Sequence, residues 1–240
     1  MNPVLLIPAR MASTRLPNKP LADIGGVPMI VRVWQQAVAA GLGPVVVAAG
    51  EPEIVAAVEA AGGRAVLTDP DLPSGSDRIW AALGQLESRH DVIVNLQGDL
   101  PALDPAQLRA VVAALDKSGA DIATLAAPID NDADKTNPAV VKAVVAWDAS
   151  GTLGRALYFT RATAPTGDGP LFHHVGLYAY RREALESFVA LPPSPLERRE
   201  KLEQLRALEA GMNIAVARVD EAPLSVDTPD DLERARKLLS

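Results

Sequence analysis

Positive side chains cluster directly after the first predicted strand. The run Val4–Ala9 is apolar, and the eleven residues that follow it, RMASTRLPNKP, carry the cations Arg10, Arg15 and Lys19. This stretch holds no glycine and lacks the G-x-x-x-x-G-K-[ST] pattern, so it is not a Walker A loop. Loop residues are usually exposed, and a solvated basic turn is therefore one interpretation. The other is a site that binds an anionic ligand.

Two aspartates follow apolar segments in the same way. Asp99 comes just after the predicted strand Val92–Leu96, and Asp227 comes just after the segment Ala222–Val226. In an open α/β sheet, ligands bind beyond the carboxyl ends of the strands. Cations at such an edge can offset phosphate charge, and carboxylates can hold Mg²⁺ through their oxygens. Each aspartate also has a plainer interpretation, because Gly-Asp before Leu-Pro suits a turn and an acidic residue suits the start of a helix.

Composition excludes several classes of protein. The net charge of −7 argues against broad binding to nucleic acid or to an anionic membrane, since both need a basic face. The chain has no cysteine, which excludes disulfides, thiolate metal sites and cysteine nucleophiles. Its first residues lack a basic n-region, and their apolar run is too short for a signal peptide or a membrane span. We expect a cytoplasmic protein.

Short β-type runs alternate with helical patterns, which predicts an α/β fold with a Rossmann-like, doubly wound, mostly parallel sheet. The predicted strands are Val4–Pro8, Pro44–Ala49, Arg64–Leu67, Val92–Leu96, Ile122–Ala127, Val140–Val145, His173–Tyr180 and Asn213–Arg218. The predicted helices lie near Pro28–Ala40, Glu53–Ala61, Ser76–Ser88, Pro105–Lys117, Arg182–Leu191, Pro195–Ala210 and Pro229–Leu239. Ser194 and Thr228 are typical N-caps for the last two. We expect one domain over residues 1–240, with an inserted β-rich subdomain at about 128–180.

Other polar residues are less informative by themselves. Ser74 or Ser76 can cap a helix whose N-terminus could also present N–H groups to a ligand. His174 and Tyr178 are predicted to share one face of a strand. Glu203 and Gln204 fall in the middle of a predicted helix, where a solvated helix face is the plainer interpretation.

The combined pattern resembles one family closely. The segments that carry the resemblance are IPARMASTRLPNKPL, SGSDRI, VNLQGDLP, NPAVVK, ALYFTRA, HHVGLYAYR, PSPLERREKLEQLRALEAG and VDTPDDLERAR. They occur in the order and approximate spacing of the 3-deoxy-manno-octulosonate cytidylyltransferases (CMP-Kdo synthetases), from residue 4 to about residue 236. The opening loop is shared with other sugar nucleotidyltransferases. The segments LYFTRA, HHVGLYAYR and LEQLRALE point to the Kdo branch.

The resemblance implies a fold of the nucleotide-diphospho-sugar transferase type and a reaction. CTP and Kdo would give CMP-Kdo and pyrophosphate with Mg²⁺ as cofactor, for the inner core of lipopolysaccharide. The implied catalytic residues are Arg10, Lys19, Asp99 and Asp227, of which the two aspartates would bind the metal. The implied CTP contacts are Pro8, Ala9, Arg10, Arg15, Lys19, Ser74, Gly75, Arg78 and Gln97. The implied Kdo contacts are Arg161, His174, Tyr178, Glu203 and Gln204.

The chain also departs from the family pattern. Leu100 stands where the family often has glutamate, Gly50 stands where it often has aspartate, and the loop Pro165–Pro170 is short. Two alternatives therefore stay open, a cytidylyltransferase for a related acidic sugar (an 8-amino Kdo analogue or a sialic acid) and a CTP-binding protein without turnover. The resemblance further implies a homodimer formed through the β-rich region.

Overall fold

Strands and helices alternate along most of the chain. The structure is a computed structural model that describes residues 1–13 and 15–239. Its strands are β1 (Pro3–Ala9), β2 (Asp23–Ile24), β3 (Val27–Pro28), β4 (Val45–Ala49), β5 (Arg64–Leu67), β6 (Val92–Asn95), β7 (Ile122–Pro128), β8 (Lys142–Trp147), β9 (Leu153–Thr160), β10 (Phe172–Arg181) and β11 (Ile214–Arg218). Its α-helices are α1 (Met29–Ala39), α2 (Pro52–Ala60), α3 (Gly75–Leu83), α4 (Pro105–Ser118), α5 (Asp132–Thr136), α6 (Arg182–Ala190), α7 (Pro195–Glu200), α8 (Leu205–Glu209) and α9 (Pro229–Leu239).

Internal contacts divide the chain into two compact units. Unit 1 comprises residues 1–109 and 223–240, and unit 2 comprises residues 110–222. The predicted β-rich region lies within unit 2, where it supplies β8, β9 and β10. That the chain forms a single domain stays a prediction.

Unit 1 is built on a parallel sheet with the strand order β5-β4-β1-β6. Every residue of β4 and of β6 is buried, as expected of strands covered on both faces. Since the strands run parallel, β1, β4 and β6 all end at the same edge of the sheet. The sequence RMASTRLPNKP at positions 10–20, called the basic stretch below, therefore begins at the edge where the rule for open α/β sheets places ligands.

The basic stretch is anchored in unit 1 by apolar contacts. Leu16 is buried in a cluster with Ile24, Met29, Val226 and Leu232. A short 3₁₀ helix, Lys19–Leu21, follows and buries Pro20. Leu16 and Pro20 lie on either side of Lys19, so the burial of these two apolar side chains limits how far Lys19 can move.

Unit 2 is a mixed sheet rather than a parallel one. Its strand order is β10-β7-β11-β9-β8, and β8 pairs again with β10 at Lys142 and His173. Only β7 and β11 run parallel, and the other pairings are antiparallel. The expectation of a mostly parallel sheet is thus right for unit 1 and wrong for unit 2.

The predicted helix Pro195–Ala210 is interrupted. Ser194 caps α7 with the predicted capping box, but Lys201 adopts a left-handed conformation (φ 55°) and ends it. The chain resumes as α8 only at Leu205. Glu203 and Gln204 consequently lie between two short helices, not on a continuous helix face.

The rest of the secondary structure follows the sequence pattern, except that four elements were not predicted: β2, β3, α5 and β9. Strand β9 was not predicted, because its burial alternates irregularly and it carries an exposed Leu157. Within residues 1–13 and 15–239, no helix has both the length and the apolar character needed to cross a membrane.

Candidate active site

A cavity of about 420 Å³ lies in unit 1 at the ends of β1 and β6. All nine residues predicted to contact CTP line it, and so do both predicted metal ligands. The lining residues are Pro8, Ala9, Arg10, Ala12, Ser13, Arg15, Lys19, Pro20, Leu72, Ser74, Gly75, Arg78, Gln97, Gly98, Asp99 and Asp227.

Lys19 bridges the two aspartates in this cavity. Its Nζ donates to Asp99 Oδ2 at 2.9 Å and to Asp227 Oδ1 at 3.0 Å. Arg15 Nη2 lies 3.1 Å from the same oxygen of Asp227. Because one ammonium reaches both carboxylates, residues 128 positions apart in the chain converge on one point. The convergence predicted from strand ends is confirmed by this contact.

Backbone contacts hold the two aspartates side by side. The N–H of Val226, next to Asp227, donates to the carbonyl of Asp99 at 2.9 Å. Thr228 caps α9 by exchanging hydrogen bonds with Asp231, which fixes the turn that contains Asp227. On the other side, a Cβ at Gly98 would lie only 2.9 Å from the carbonyl oxygen of Pro8. Glycine is required there because the chain after β6 passes so close to β1.

The Lys19 ammonium is stabilised by its two partners. Burial alone would lower its pKa, but Asp99 and Asp227 overcome this and raise the pKa of Lys19 above its ordinary 10.5. Lys19 is therefore fully protonated near neutral pH, and it is a fixed positive charge beside the cavity.

Another wall of the cavity is formed by the start of α3 and by Gln97. Ser74 is the N-cap of α3, and its Oγ accepts a hydrogen bond from the backbone of Asp77. Gly75 packs against Pro8, where an added Cβ would lie 3.3 Å from Pro8 Cγ. Gln97 donates to Asn95 Oδ1 at 3.3 Å. The helix N-terminus thus sits in the cavity wall, as the sequence indicated.

Arg78 is almost fully buried behind this wall. Its guanidinium donates to Thr68 Oγ1 and to the carbonyls of Asp69 and Pro70, at 2.7 to 3.1 Å. Burial lowers the pKa of Arg78 below its ordinary 12.5, and Arg10 adds to this while Glu51 opposes it. The contacts hold the segment 68–70, which leads to Leu72 and Ser74 in the cavity lining.

Unit 2 gathers four of its five predicted sugar-site residues in two small groups. Buried His174 lies between Thr124 and Gln204, with its Nε2 3.0 Å from Thr124 Oγ1 and its Nδ1 3.5 Å from Gln204 Nε2. The rings of His174 and Tyr178 are 5.5 Å apart, as expected for residues on one face of β10. Burial, with a smaller contribution from neighbouring Tyr180 and Glu203, raises the pKa of Tyr178 well above its ordinary value.

The contacts of Thr124 fix the state of the His174 ring. Its hydroxyl donates to the carbonyls of Val175 and Leu177, so its oxygen is left to accept from His174 Nε2–H. Nδ1 is then the acceptor that faces the Gln204 amide. Burial, helped by the neighbouring His173, lowers the pKa of His174 to about 3 and keeps the ring neutral.

Arg161 forms the second group with Glu200. Its guanidinium donates to the backbone carbonyls of Glu200, Pro138 and Lys201, at 2.8 to 3.4 Å. The Glu200 carboxylate accepts from the Arg161 backbone N–H at 3.0 Å and from Thr160 Oγ1 at 2.8 Å. Arg161 is thereby held between β9 and the end of α7.

Glu203 belongs to a third contact in unit 2, beside Arg206. Glu203 Oε1 lies 3.9 Å from Arg206 Nη2, and that guanidinium also forms a two-pronged pair with Glu197 at 2.6 and 2.9 Å. This largely buried pair holds α7 against α8, and so fixes the break in which Glu203 and Gln204 lie.

Comparisons with known proteins point to one family. A family profile described as cytidylyltransferase matches residues 4–214. The chain is 67% identical to the 3-deoxy-manno-octulosonate cytidylyltransferase of Parvibaculum lavamentivorans, over all of this chain and 93% of that protein. It is 65% identical to the enzyme of the same name from Rhodospirillum centenum, over 99% of this chain and 93% of that one.

The chain belongs to the 3-deoxy-manno-octulosonate cytidylyltransferase family. A solved structure of CMP:2-keto-3-deoxy-manno-octonic acid synthetase complexed with CTP matches it with a TM-score of 0.91 and 38% identity, over 99% of this chain and 98% of that one. The α/β fold with a mixed sheet is therefore that of the family.

The structure shows what surrounds two of the positions, Leu100 and Gly50, that depart from the cytidylyltransferase pattern. Leu100 is 5% exposed and packs in the apolar interior, so this side chain has a packing role. A Cβ at Gly50 would lie 3.1 Å from Arg78 Nη1 and 3.3 Å from Arg10 Cβ. Gly50 is thus enclosed by two arginines of the cytidylyltransferase cavity.

Several residues around these sites were missed from the sequence. Leu72 and Ser13 line the cavity but belong to irregular segments with no distinctive pattern. Glu51 accepts a hydrogen bond from Met11, which is next to Arg10, and Glu200 accepts one from Arg161. An acidic residue at the end of a strand or helix is usually explained by a helix dipole or by solvation. The sequence therefore gave no signal that could have identified Glu51 and Glu200.

The neutral His174 predicts a pH dependence of stability. Its pKa is about 3 in the folded chain and ordinarily 6.5, so the unfolded chain binds the proton first as the pH falls. The contribution of neutral His174 to the free energy of unfolding is complete above pH 6.5. Below pH 6.5 the free energy of unfolding should decline by about 1.4 kcal/mol per pH unit, until the pH reaches the pKa of His174 in the folded chain. Urea unfolding of wild type and His174→Asn from pH 7 to pH 4 measures this. Parallel curves for the two proteins would contradict it.

Proposed function

We propose that this chain activates 3-deoxy-manno-octulosonate (Kdo) with CTP, giving CMP-Kdo and pyrophosphate for lipopolysaccharide biosynthesis. Membership of the cytidylyltransferase family supports the reaction. The observation that carries the proposal at the level of residues is the Lys19 ammonium between Asp99 and Asp227, in a cavity that Arg10 and Arg15 also line.

CTP binds in the unit 1 cavity, with its triphosphate against the basic stretch. Arg10, Arg15 and Lys19 supply the positive charge, and the two arginines can each present paired N–H groups to phosphate oxygens. Ser74, Gly75 and Gln97 face the nucleoside. The cavity volume of about 420 Å³ is in the range of small-molecule sites.

The reaction is an in-line displacement at phosphorus. The anomeric hydroxyl oxygen of Kdo forms a bond to the α-phosphorus and gives up its proton, while the bond from the α-phosphorus to the bridging oxygen breaks. Pyrophosphate leaves with that electron pair. Such chemistry depends on positioning and charge stabilisation, and the fixed cations of the basic stretch stabilise the negative charge that develops on the leaving group.

Asp99 and Asp227 are the residues that would hold Mg²⁺. Both offer carboxylate oxygens, the ligands that Mg²⁺ prefers, and one cation already reaches both of them. Among the described residues, no three His, Asp or Glu side chains are grouped as a metal cage. A pair of carboxylates is nevertheless the usual protein share of a site that substrate phosphates complete. When bound, the metal would polarise the α-phosphate and favour ionisation of the attacking hydroxyl.

Kdo binds to the residues gathered in unit 2. Arg161 suits a carboxylate, since its guanidinium has five N–H donors and its three carbonyl partners use only part of them. Neutral His174 and Gln204 suit sugar hydroxyls, as do Tyr178 and Glu203. The homodimer and the cytoplasmic location stay predictions.

Pyrophosphate release with CTP, Mg²⁺ and a panel of sugar acids tests the proposal. We expect release with Kdo and at least about tenfold lower kcat/KM with a sialic acid, because a site built for particular hydroxyls discriminates strongly. Preference for an 8-amino Kdo analogue or a sialic acid would assign the alternative substrate. CTP-dependent stabilisation without release from any sugar acid would instead indicate a protein without turnover.

A further inference from the structure

Glu51 contacts Met11, the residue that follows Arg10 in the basic stretch. Its Oε2 accepts a hydrogen bond from the backbone N–H of Met11 at 2.8 Å, in a partly buried position. One residue earlier, the N–H of Gly50 donates to the carbonyl of Ala9 at 2.9 Å. The end of β4 is therefore joined to the start of the basic stretch by two consecutive hydrogen bonds.

The position of Glu51 in its helix makes this contact more informative. Glu51 is the N-cap residue of α2, where an acidic side chain would ordinarily accept from the first turn of its own helix. It makes no such capping bond and reaches across to Met11 instead. The cap is given up for a contact with the neighbouring segment.

The negative charge of Glu51 is a second and separate reason to assign this residue a role beside the cavity. Arg10 and Arg78 enclose Gly50, and the hydrogen-bond acceptors of the Arg78 guanidinium are neutral oxygens of Thr68, Asp69 and Pro70. Glu51 acts on Arg78 in the opposite direction to Arg10, since its charge favours the protonated guanidinium and so raises the pKa. The Glu51 carboxylate thus offsets positive charge beside the cavity.

We propose that Glu51 is a positioning residue of the cytidylyltransferase site. It fixes the start of the basic stretch through Met11, and its charge limits how strongly Arg10 and Arg78 attract an anion. The meaning of this for CTP rests on the proposed function, whereas the positioning of the stretch does not.

Two substitutions separate the hydrogen bond from the charge. Glu51→Gln keeps an oxygen that can accept from Met11 N–H but removes the charge, and Glu51→Ala removes both. Glu53→Ala and Glu53→Gln are matched controls, because Glu53 is an exposed acid two residues further on, in the first turn of α2.

Native-state proteolysis measures the hydrogen bond. Trypsin cleaves between Arg10 and Met11, at the peptide bond whose N–H Glu51 holds. We expect Glu51→Ala to raise this cleavage rate about tenfold or more, because a charge-assisted bond is lost and opening precedes cleavage. Glu51→Gln should stay within about threefold of wild type. Cleavage after Lys117, at the end of α4, reports general loosening of the chain.

Calorimetry with CTP measures the charge. Glu51→Gln should bind CTP about threefold more tightly than wild type, since a negative charge near the cavity is removed. A Glu51→Ala rate no faster than that of Glu53→Ala would overturn the proposal, as would equal acceleration by Glu51→Ala and Glu51→Gln. CTP binding by Glu51→Gln that is equal to or weaker than that of wild type would also overturn it. Failure of wild type to bind CTP would instead refute the proposed function and leave the proteolysis result standing.

Discussion

Replacement of Asp99 by asparagine will lower Mg²⁺-dependent turnover by at least about a hundredfold, which is the typical effect of losing one preorganised electrostatic contact. The substitution keeps the size of the side chain and one oxygen that can accept from Lys19, but it removes the charge that a divalent cation needs. The carbonyl of residue 99 still accepts from Val226 N–H. The fold should therefore be intact, with a change of about 1 kcal/mol or less in the free energy of unfolding.

Asp104→Asn is the matched control for Asp99→Asn. Asp104 also follows β6, and its Oδ1 accepts from the backbone of Ala106 at the start of α4, which is a structural role. Both variants should melt within a few degrees of wild type, since each substitution changes the free energy of unfolding by about 1 kcal/mol or less. Pyrophosphate release across a Mg²⁺ titration then separates them. Wild-type rates in Asp99→Asn would refute a metal-binding role for this residue.

The site in unit 1 could be predicted because its residues follow strands. Apolar runs identify β1 and β6, and parallel strands end at a common edge, so Lys19 and Asp99 were expected to be close although they are 80 positions apart. Asp227 needed only one further step, because the Thr228 cap marks the start of α9. The prediction of the unit 1 site depended on the general rule that ligands bind at strand ends, and local sequence was enough to locate those strand ends.

The arrangement in unit 2 depends on contacts that local sequence does not encode. The break between α7 and α8 depends on Lys201 in a left-handed conformation, and a lysine gives no warning of it. Glu200 holds Arg161 through a contact across about forty positions. The periodicity of the leucines in this region is typical of one continuous helix, and it was therefore read as one. Tertiary contacts such as the pair Glu197–Arg206 decided otherwise.

Positioning residues were harder to predict than residues that line the cavity. Arg78 was expected to contact CTP and lines the cavity, but its described hydrogen bonds all go to the chain segment 68–70 and give it a positioning role as well. Glu51 was not expected to have a role at all. The type of a side chain indicates what it can bind, but only the fold determines whether its partner is a ligand or a backbone group.

Lys19→Met should have two effects of opposite sign. The Lys19 side chain is 17% exposed and its ammonium contacts both carboxylates, so its loss removes a fixed charge from the cavity and leaves Asp99 and Asp227 with more negative potential. We expect kcat/KM for CTP to fall by about 10² to 10³, because a contact to the triphosphate and its leaving group is lost. A metal ion held by Asp99 and Asp227 would compete with Lys19 for these two carboxylates, so Mn²⁺ should bind the nucleotide-free variant about tenfold more tightly than wild type.

Arg10→Met separates these two effects. Arg10 lines the same cavity, and in the described part of the chain it forms no ion pair with Asp99 or Asp227. Both variants lose one cation and should bind CTP more weakly, but only Lys19→Met removes the ammonium that contacts both carboxylates. Calorimetric titration of Mn²⁺ into each protein without nucleotide measures the difference directly. Binding of Mn²⁺ by Lys19→Met that is no tighter than binding by Arg10→Met would refute competition between Lys19 and a metal ion for Asp99 and Asp227.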